Sequence, residues 1–134
     1  MIYAGAAPGT DPVVRIFNIE NGFPASTDIT VAASSFTGGV RVASADFTAD
    51  GVPDIVAALG PGGTPTIRVF DALTGEAIDG PLASFDAFES TFTGGVFIAT
   101  ADVDGDGIPD IIAGAGAGGG PRVKVFSGAD GVVL

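Results

Sequence analysis

The sequence predicts an all-β fold built from β-propeller blades, each a sheet of four antiparallel strands, with about two and a half blades in the chain. The first observation is an internal repeat: Phe-Thr-Gly-Gly-Val at residues 36–40 recurs 56 residues later at residues 92–96. The second is a series of short β-branched segments with alternating polarity, such as residues 66–71, separated by Gly and Pro turns. Four strands in a repeat of about 50 residues are typical of propeller blades.

The middle copy, residues 36–91, is the complete unit and defines the strand order. We predict strand A at about residues 40–47, strand B at 54–59, strand C at 66–71 and a weakly patterned strand D at 82–88. No segment has a helical period long enough to predict a helix.

The flanking copies are incomplete. Residues 2–17 align without gaps on residues 55–70, so residues 1–35 are predicted to form strands B, C and D of a partial blade. Residues 92–134 are predicted to form strands A, B and C, with residues 131–134 beginning a fourth strand. Residues that occupy the same place in two copies are called equivalent below.

Composition excludes several classes of function. The net charge of −11 repels phosphate backbones and anionic lipid, so we expect cations as partners and no nucleic acid. With no Cys and no His, the chain has no disulfide, no zinc site built on those residues and no His-based catalytic triad. No apolar run approaches the roughly 18 residues of a membrane helix, and no signal peptide is expected in this stretch.

The clearest candidate site is the loop at residues 102–110, which predicts calcium binding. Asp102, Asp104, Asp106 and Asp110 stand at loop positions 1, 3, 5 and 9. Calcium prefers six to eight oxygen ligands, and carboxylates two residues apart in a tight loop can converge on one ion. A backbone carbonyl near Ile108 is expected to complete the ligand set.

The equivalent loop at residues 46–54 is predicted to bind calcium more weakly. It keeps three of the four acids and has a threonine hydroxyl at position 3. The ligands predicted here are Asp46, Thr48, Asp50, Val52 and Asp54.

The same residues have two alternative interpretations. An EF-hand would need a Glu at position 12, where this chain has Ala113 or Ala57, and helices on both sides, where strands are predicted. The other alternative is that the Asp residues only cap turns and remain solvated. Seven of the 13 Asp residues lie in these two loops, which favours a site over a dispersed acidic surface.

These motifs resemble the integrin-type FG-GAP repeats of β-propellers, as found in large secreted bacterial repeat proteins. The resemblance rests on Phe-Thr-Gly-Gly-Val, the D-x-D-G-D-G-x-x-D loop, the Gly-rich residues 114–120 and the strand at 122–126. It implies a disc of radial blades with calcium held in the turn between strands A and B, and an extracellular or cell-surface location. Two and a half blades are too few to close a ring, so we expect self-association through blade edges.

Two further patterns have ordinary structural explanations. The G-x-G-x-x-G match at residues 114–119 precedes a strand instead of a helix, so a hairpin loop is expected. Arg15, Arg68 and Lys124 are equivalent on strand C, where they form either a ring that contacts a ligand or the solvent face of a strand.

Three functions remain open from the sequence. The first is a non-enzymatic binding or structural scaffold that presents loops to a protein or glycan. The second is a calcium-dependent, lectin-like propeller with glycan sites between blades. The third, part of an enzyme, is not expected, because the acid clusters are already assigned to a metal.

Overall fold

The computed structural model describes residues 1–20 and 23–134, and the described residues form strands and no helix. The first sheet, in the order β1-β2-β3, consists of Ile2–Gly5, Val13–Glu20 and Phe23–Thr30. The middle sheet, in the order β4-β5-β6-β7, consists of Val40–Ala45, Asp54–Leu59, Thr66–Phe70 and Ser84–Asp86. The third sheet, in which β9 lies between β8 and β10, consists of Val96–Ala101, Asp110–Ala115 and Val123–Phe126.

All neighbouring strands are antiparallel, so the predicted all-β fold is confirmed as a partial, propeller-like arrangement of three sheets. The unit boundaries at residues 1–35, 36–91 and 92–134 remain a prediction. Over the part of the chain that the structure describes, nothing forms an apolar helix of membrane-spanning length.

The predicted strand bounds agree best with the structure where the strand is buried on both faces of its sheet. Strand B of the middle unit is β5, Asp54–Leu59, with the predicted bounds, and all six of its residues are buried. Strand D is only Ser84–Asp86, because Leu82, Ala87 and Phe88 on either side of it turn into the core instead of alternating.

The prediction that residues 131–134 begin a fourth strand is wrong. Within the described residues 127–134 no strand follows β10: Val133 makes an isolated bridge to Phe126, as Ala77 does to Phe70 in the middle sheet, and the Leu134 amide donates to the Val125 carbonyl at 2.9 Å. The turn that follows strand C is formed by residues 128–130, and residues 131–134 lie beyond it, alongside β10.

The core lies between the sheets. One cluster joins the first and middle sheets through residues such as Val14 and Ile55, both with no exposed surface. A second cluster joins the middle and third sheets through residues such as Ile67 and Ile111, also with no exposed surface. The middle sheet is thus covered on both faces, which explains why β5 has a continuous apolar sequence.

The repeated Phe-Thr-Gly-Gly motif links neighbouring sheets through its backbone. The amide of Gly9 donates to the Thr37 carbonyl, and the amide of Gly62 donates to the Thr93 carbonyl, each at 2.8 Å. A Cβ on Gly38 would collide with the Pro61 carbonyl oxygen, so glycine is required at this close approach.

The strand C cations each contact protein. Arg15 forms a two-point ion pair with Asp28, at 2.7 and 2.8 Å. Arg68 donates to the carbonyl of Val31, the residue that follows β3 of the first sheet. The Lys124 ammonium lies 5.4 Å from the centre of the Phe88 ring. Two of the three therefore bridge neighbouring sheets.

Candidate metal centre

Both acidic loops are the hairpin connections between strands A and B of a sheet. The ladder between β8 and β9 ends with the pair Ala101 and Asp110, and the ladder between β4 and β5 ends with the pair Ala45 and Asp54. The last Asp of each loop is consequently the first residue of strand B, and its side chain is buried.

Backbone amides hold the carboxylates of the loop at residues 102–110. Asp102 accepts hydrogen bonds from the Gly105 amide at 2.7 Å and the Gly107 amide at 3.0 Å. The Asp106 amide donates to Asp104 at 3.1 Å. The Ile108 amide donates to Asp106 at 2.8 Å. These bonds fix three acidic side chains on one turn of chain.

The three carboxylates converge. Ligand atoms of Asp102, Asp104 and Asp106 lie within 4.8 Å of one another, and all three side chains are exposed. Among the residues that the structure describes, this is the one group of three or more acids with metal-binding geometry. Clustered charges repel one another, and a hard cation with oxygen preference relieves that repulsion, so this donor set fits Ca²⁺.

Asp110 has a different setting from the other predicted ligands. Its side chain is fully buried and lies outside the group of three. It accepts hydrogen bonds from the Gly128 amide at 2.9 Å and the Val103 amide at 2.7 Å. These two bonds hold the pKa of the Asp110 carboxyl below its ordinary value against the opposing effect of burial. Asp110 therefore anchors the base of the loop as an anion.

Gly128 makes this anchor possible. It comes from the turn after β10, and a Cβ at this position would collide with the Pro109 carbonyl oxygen. Only glycine lets the backbone approach the loop closely enough for its amide to reach Asp110.

The loop at residues 46–54 has the same backbone path with fewer acids. The Gly51 amide donates to Asp46 at 2.9 Å and the Val52 amide donates to Asp50 at 2.7 Å, as the equivalent residues do in the other loop. Ala49 has a φ of 59° where the other loop has a glycine, and such a left-handed backbone costs a residue with a Cβ about 1–2 kcal/mol. Asp50 is exposed, Asp46 is half-buried, and the side chain at position 3 is Thr48.

Asp54, the counterpart of Asp110, is buried but incompletely hydrogen-bonded. One carboxylate oxygen accepts from the amides of Phe47 at 2.8 Å and Thr48 at 3.0 Å. The other oxygen is buried with no hydrogen-bond partner. Burial, with a smaller contribution from the Asp50 charge, raises the pKa of the Asp54 carboxyl above its ordinary value. The residue equivalent to Gly128 is Ala72, whose Cβ is incompatible with the close approach made by Gly128.

A residue of the first sheet contacts this loop instead. The Tyr3 hydroxyl donates to the Pro53 carbonyl at 2.6 Å. Burial, followed by the charges of Asp54 and Asp50, raises the pKa of the Tyr3 phenol. Tyr3, Gly128 and Ala72 are not among the residues predicted from the sequence. The available signal was that each differs from its equivalents in the other copies.

The fold and the hairpin loop together define a repeat of propeller type with acidic connections between strands A and B. Residues 94–133, which contain the loop at 102–110, match the family model described as FG-GAP repeat, so the predicted resemblance is confirmed for this segment. No curated protein and no solved structure gives a significant match to the chain. FG-GAP repeats are generally non-enzymatic binding or structural modules and are typically extracellular.

Replacing Gly128 with alanine is predicted to loosen the loop at residues 102–110. The added Cβ would push the turn away from Pro109 and remove the amide from Asp110, which would leave a buried carboxylate oxygen unpaired. We expect a loss of about 1–3 kcal/mol in the free energy of unfolding, measured by urea denaturation in EDTA.

Gly114→Ala is the matched control. A Cβ on Gly114 meets only the Phe97 Cβ, at an ordinary 3.7 Å, so this variant should unfold close to the wild type. Equal stability of both variants would contradict the anchoring role of Gly128.

Proposed function

We propose that this chain is a calcium-binding, propeller-type repeat module that acts as a non-enzymatic binding or structural scaffold outside the cell. The observation that carries the proposal is the convergence of Asp102, Asp104 and Asp106 in a strand-connecting loop of an FG-GAP repeat. Carboxylates of this kind are ligands that calcium prefers, and the surrounding backbone amides hold them in place before any ion arrives.

Calcium would supply positive charge where the chain concentrates negative charge. The loop at residues 102–110 would hold the ion through its three converging carboxylates, with Asp110 and the Ile108 carbonyl as the further ligands predicted from the sequence. The loop at residues 46–54 offers Asp46, Asp50 and Asp54 with the Thr48 hydroxyl, and we propose that it binds a second ion more weakly. A rigid A–B turn would then present the neighbouring loops to a protein or glycan partner.

Glycan binding is the second candidate ligand chemistry, but no contact favours it over protein binding. Among the side chains whose exposure the structure describes, Phe97 is the aromatic one that is strongly exposed, at 56%. The Arg41 guanidinium already stacks on this ring, 3.7 Å from its centre. A glycan array with and without calcium distinguishes a lectin-like module from a scaffold that binds protein.

Calcium is predicted to raise the melting temperature of the chain. A ligand that binds only the folded state stabilises it by about 2.7 kcal/mol at a hundred times its dissociation constant. Asp104→Ala should remove most of this gain and Asp50→Ala a smaller part, as measured by calorimetric titration and thermal unfolding.

Asp79→Ala removes an exposed acid outside both loops and should leave calcium binding intact. Magnesium should stabilise the protein less than calcium, since it demands a stricter octahedral shell. If neither Asp104→Ala nor Asp50→Ala alters calcium uptake, the loops are not the sites.

We also propose that the chain associates with itself by stacking the third sheet of one copy on the first sheet of the next. Ile2 is 59% exposed whereas its equivalent Ile55 is fully buried, and Val123 is 67% exposed whereas its equivalent Ile67 is fully buried. A second copy stacked in this way would cover both residues and continue the packing that already joins the three sheets.

Light scattering at several concentrations is expected to give a mass above that of one chain. Val123→Asp should lower the mass, because it places a charge in the proposed contact. Leu73→Asp, at another exposed apolar residue (58% exposed), is the control and should not. A monomer at every concentration would rule out stacking between copies.

A further inference from the structure

The two acidic loops are anchored by different parts of the molecule. The loop at residues 102–110 is anchored within its own sheet by the Gly128 amide. The loop at residues 46–54 has Ala72 in place of that glycine, and the described contact at its Pro53 carbonyl comes from Tyr3 of the first sheet. We infer that Tyr3 is a positioning residue that couples cation binding at residues 46–54 to the packing of the first sheet on the middle sheet. This inference rests on the proposed calcium function.

Tyr3 is fixed both at its backbone and at its hydroxyl. Its backbone pairs with that of Ile16 in the β1–β2 ladder, and its ring packs against the cluster between the first and middle sheets. Its hydroxyl then reaches Pro53, the residue immediately before Asp54. A movement of the first sheet is therefore transmitted to the end of the loop where strand B begins.

This connection cannot form at the other loop. The residue equivalent to Tyr3 is Val56, which has no hydroxyl and is fully buried in the cluster between the middle and third sheets. At the carbonyl equivalent to that of Pro53, which belongs to Pro109, the neighbour is Gly128. Tyr3 should consequently act on one loop and leave the other unchanged.

Coupling between two equilibria is reciprocal. If the hydrogen bond from Tyr3 favours the loop conformation that accepts a cation, a cation at residues 46–54 must in turn stabilise the packing of β1. Removing the hydroxyl should weaken the cation affinity of this loop by about two- to tenfold, as expected for one hydrogen bond.

The chain carries its own probe for this coupling. Tyr3 is the one tyrosine of the sequence, and there is no tryptophan. Tyrosine emission therefore reports the surroundings of a single phenol, whose hydroxyl contacts the loop. We expect calcium chloride to change this emission in the wild type and in Asp104→Ala, and to leave it unchanged in Asp50→Ala.

The decisive experiment compares Tyr3→Phe with the wild type by calorimetric titration and by amide hydrogen exchange. Tyr3→Phe keeps the ring and removes the hydroxyl, so calcium affinity should fall at residues 46–54 alone. Calcium should slow exchange of the β1 amides in the wild type and not in the variant. Arg68→Met is the matched control, because it removes a different bond between the first and middle sheets, to the Val31 carbonyl.

The outcomes separate this inference from the proposed function. Equal affinities of Tyr3→Phe and wild type at both loops would overturn the coupling while calcium binding stands. An equal loss in Arg68→Met would also overturn it, because general loosening of the interface would then explain the effect. Calcium binding abolished by Asp104→Ala alone would show that residues 46–54 hold no cation, which overturns the coupling and leaves the site at residues 102–110. No uptake by the wild type would refute the calcium function itself.

Discussion

Burial of the middle sheet between its two neighbours is the constraint on which the rest of the structure depends. Successive residues of β5 point to opposite faces, so Ile55 packs towards the first sheet and Val56 towards the third, both without exposed surface. Each such side chain contributes about 1.5–3 kcal/mol relative to an exposed one. No single sheet could bury these apolar side chains on its own. Stacking of the sheets therefore determines the positions of the strands, the close Phe-Thr-Gly-Gly contacts and the positions of the loops.

The same stacking leaves the A–B hairpins free to carry charge. The hydrophobic clusters use strand interiors, whereas the acidic side chains of residues 102–106 project from the hairpin and are exposed. Their hydrogen bonds go to loop amides that would otherwise lack partners, so the chain's own backbone arranges the carboxylates. The loop thereby holds repulsive charges close together without help from the core.

Repetition explains what the sequence could and could not predict. Strand B is predictable from the sequence because its apolar run is bounded by Pro53 and Gly60, and the acidic loops are predictable because Asp spacing is a local pattern. The predicted strand D is too long, because Leu82 and Ala87 lie outside the strand in irregular segments that turn into the core. Tyr3 and Gly128 are not predictable in this way, because their hydrogen-bond partners are distant in sequence. In addition, a comparison of the copies identifies only the features that the copies share.

Differences between the copies are therefore as informative as their similarities. The loop at residues 102–110 has glycine wherever its backbone requires it, and both oxygens of Asp110 are hydrogen-bonded. The loop at residues 46–54 carries Ala49 at a left-handed φ and a buried, unpaired oxygen on Asp54. Both features disfavour that loop conformation. The Tyr3 hydroxyl of the first sheet contacts this loop at Pro53, whereas the loop at residues 102–110 is contacted at Asp110 by the Gly128 amide of its own repeat.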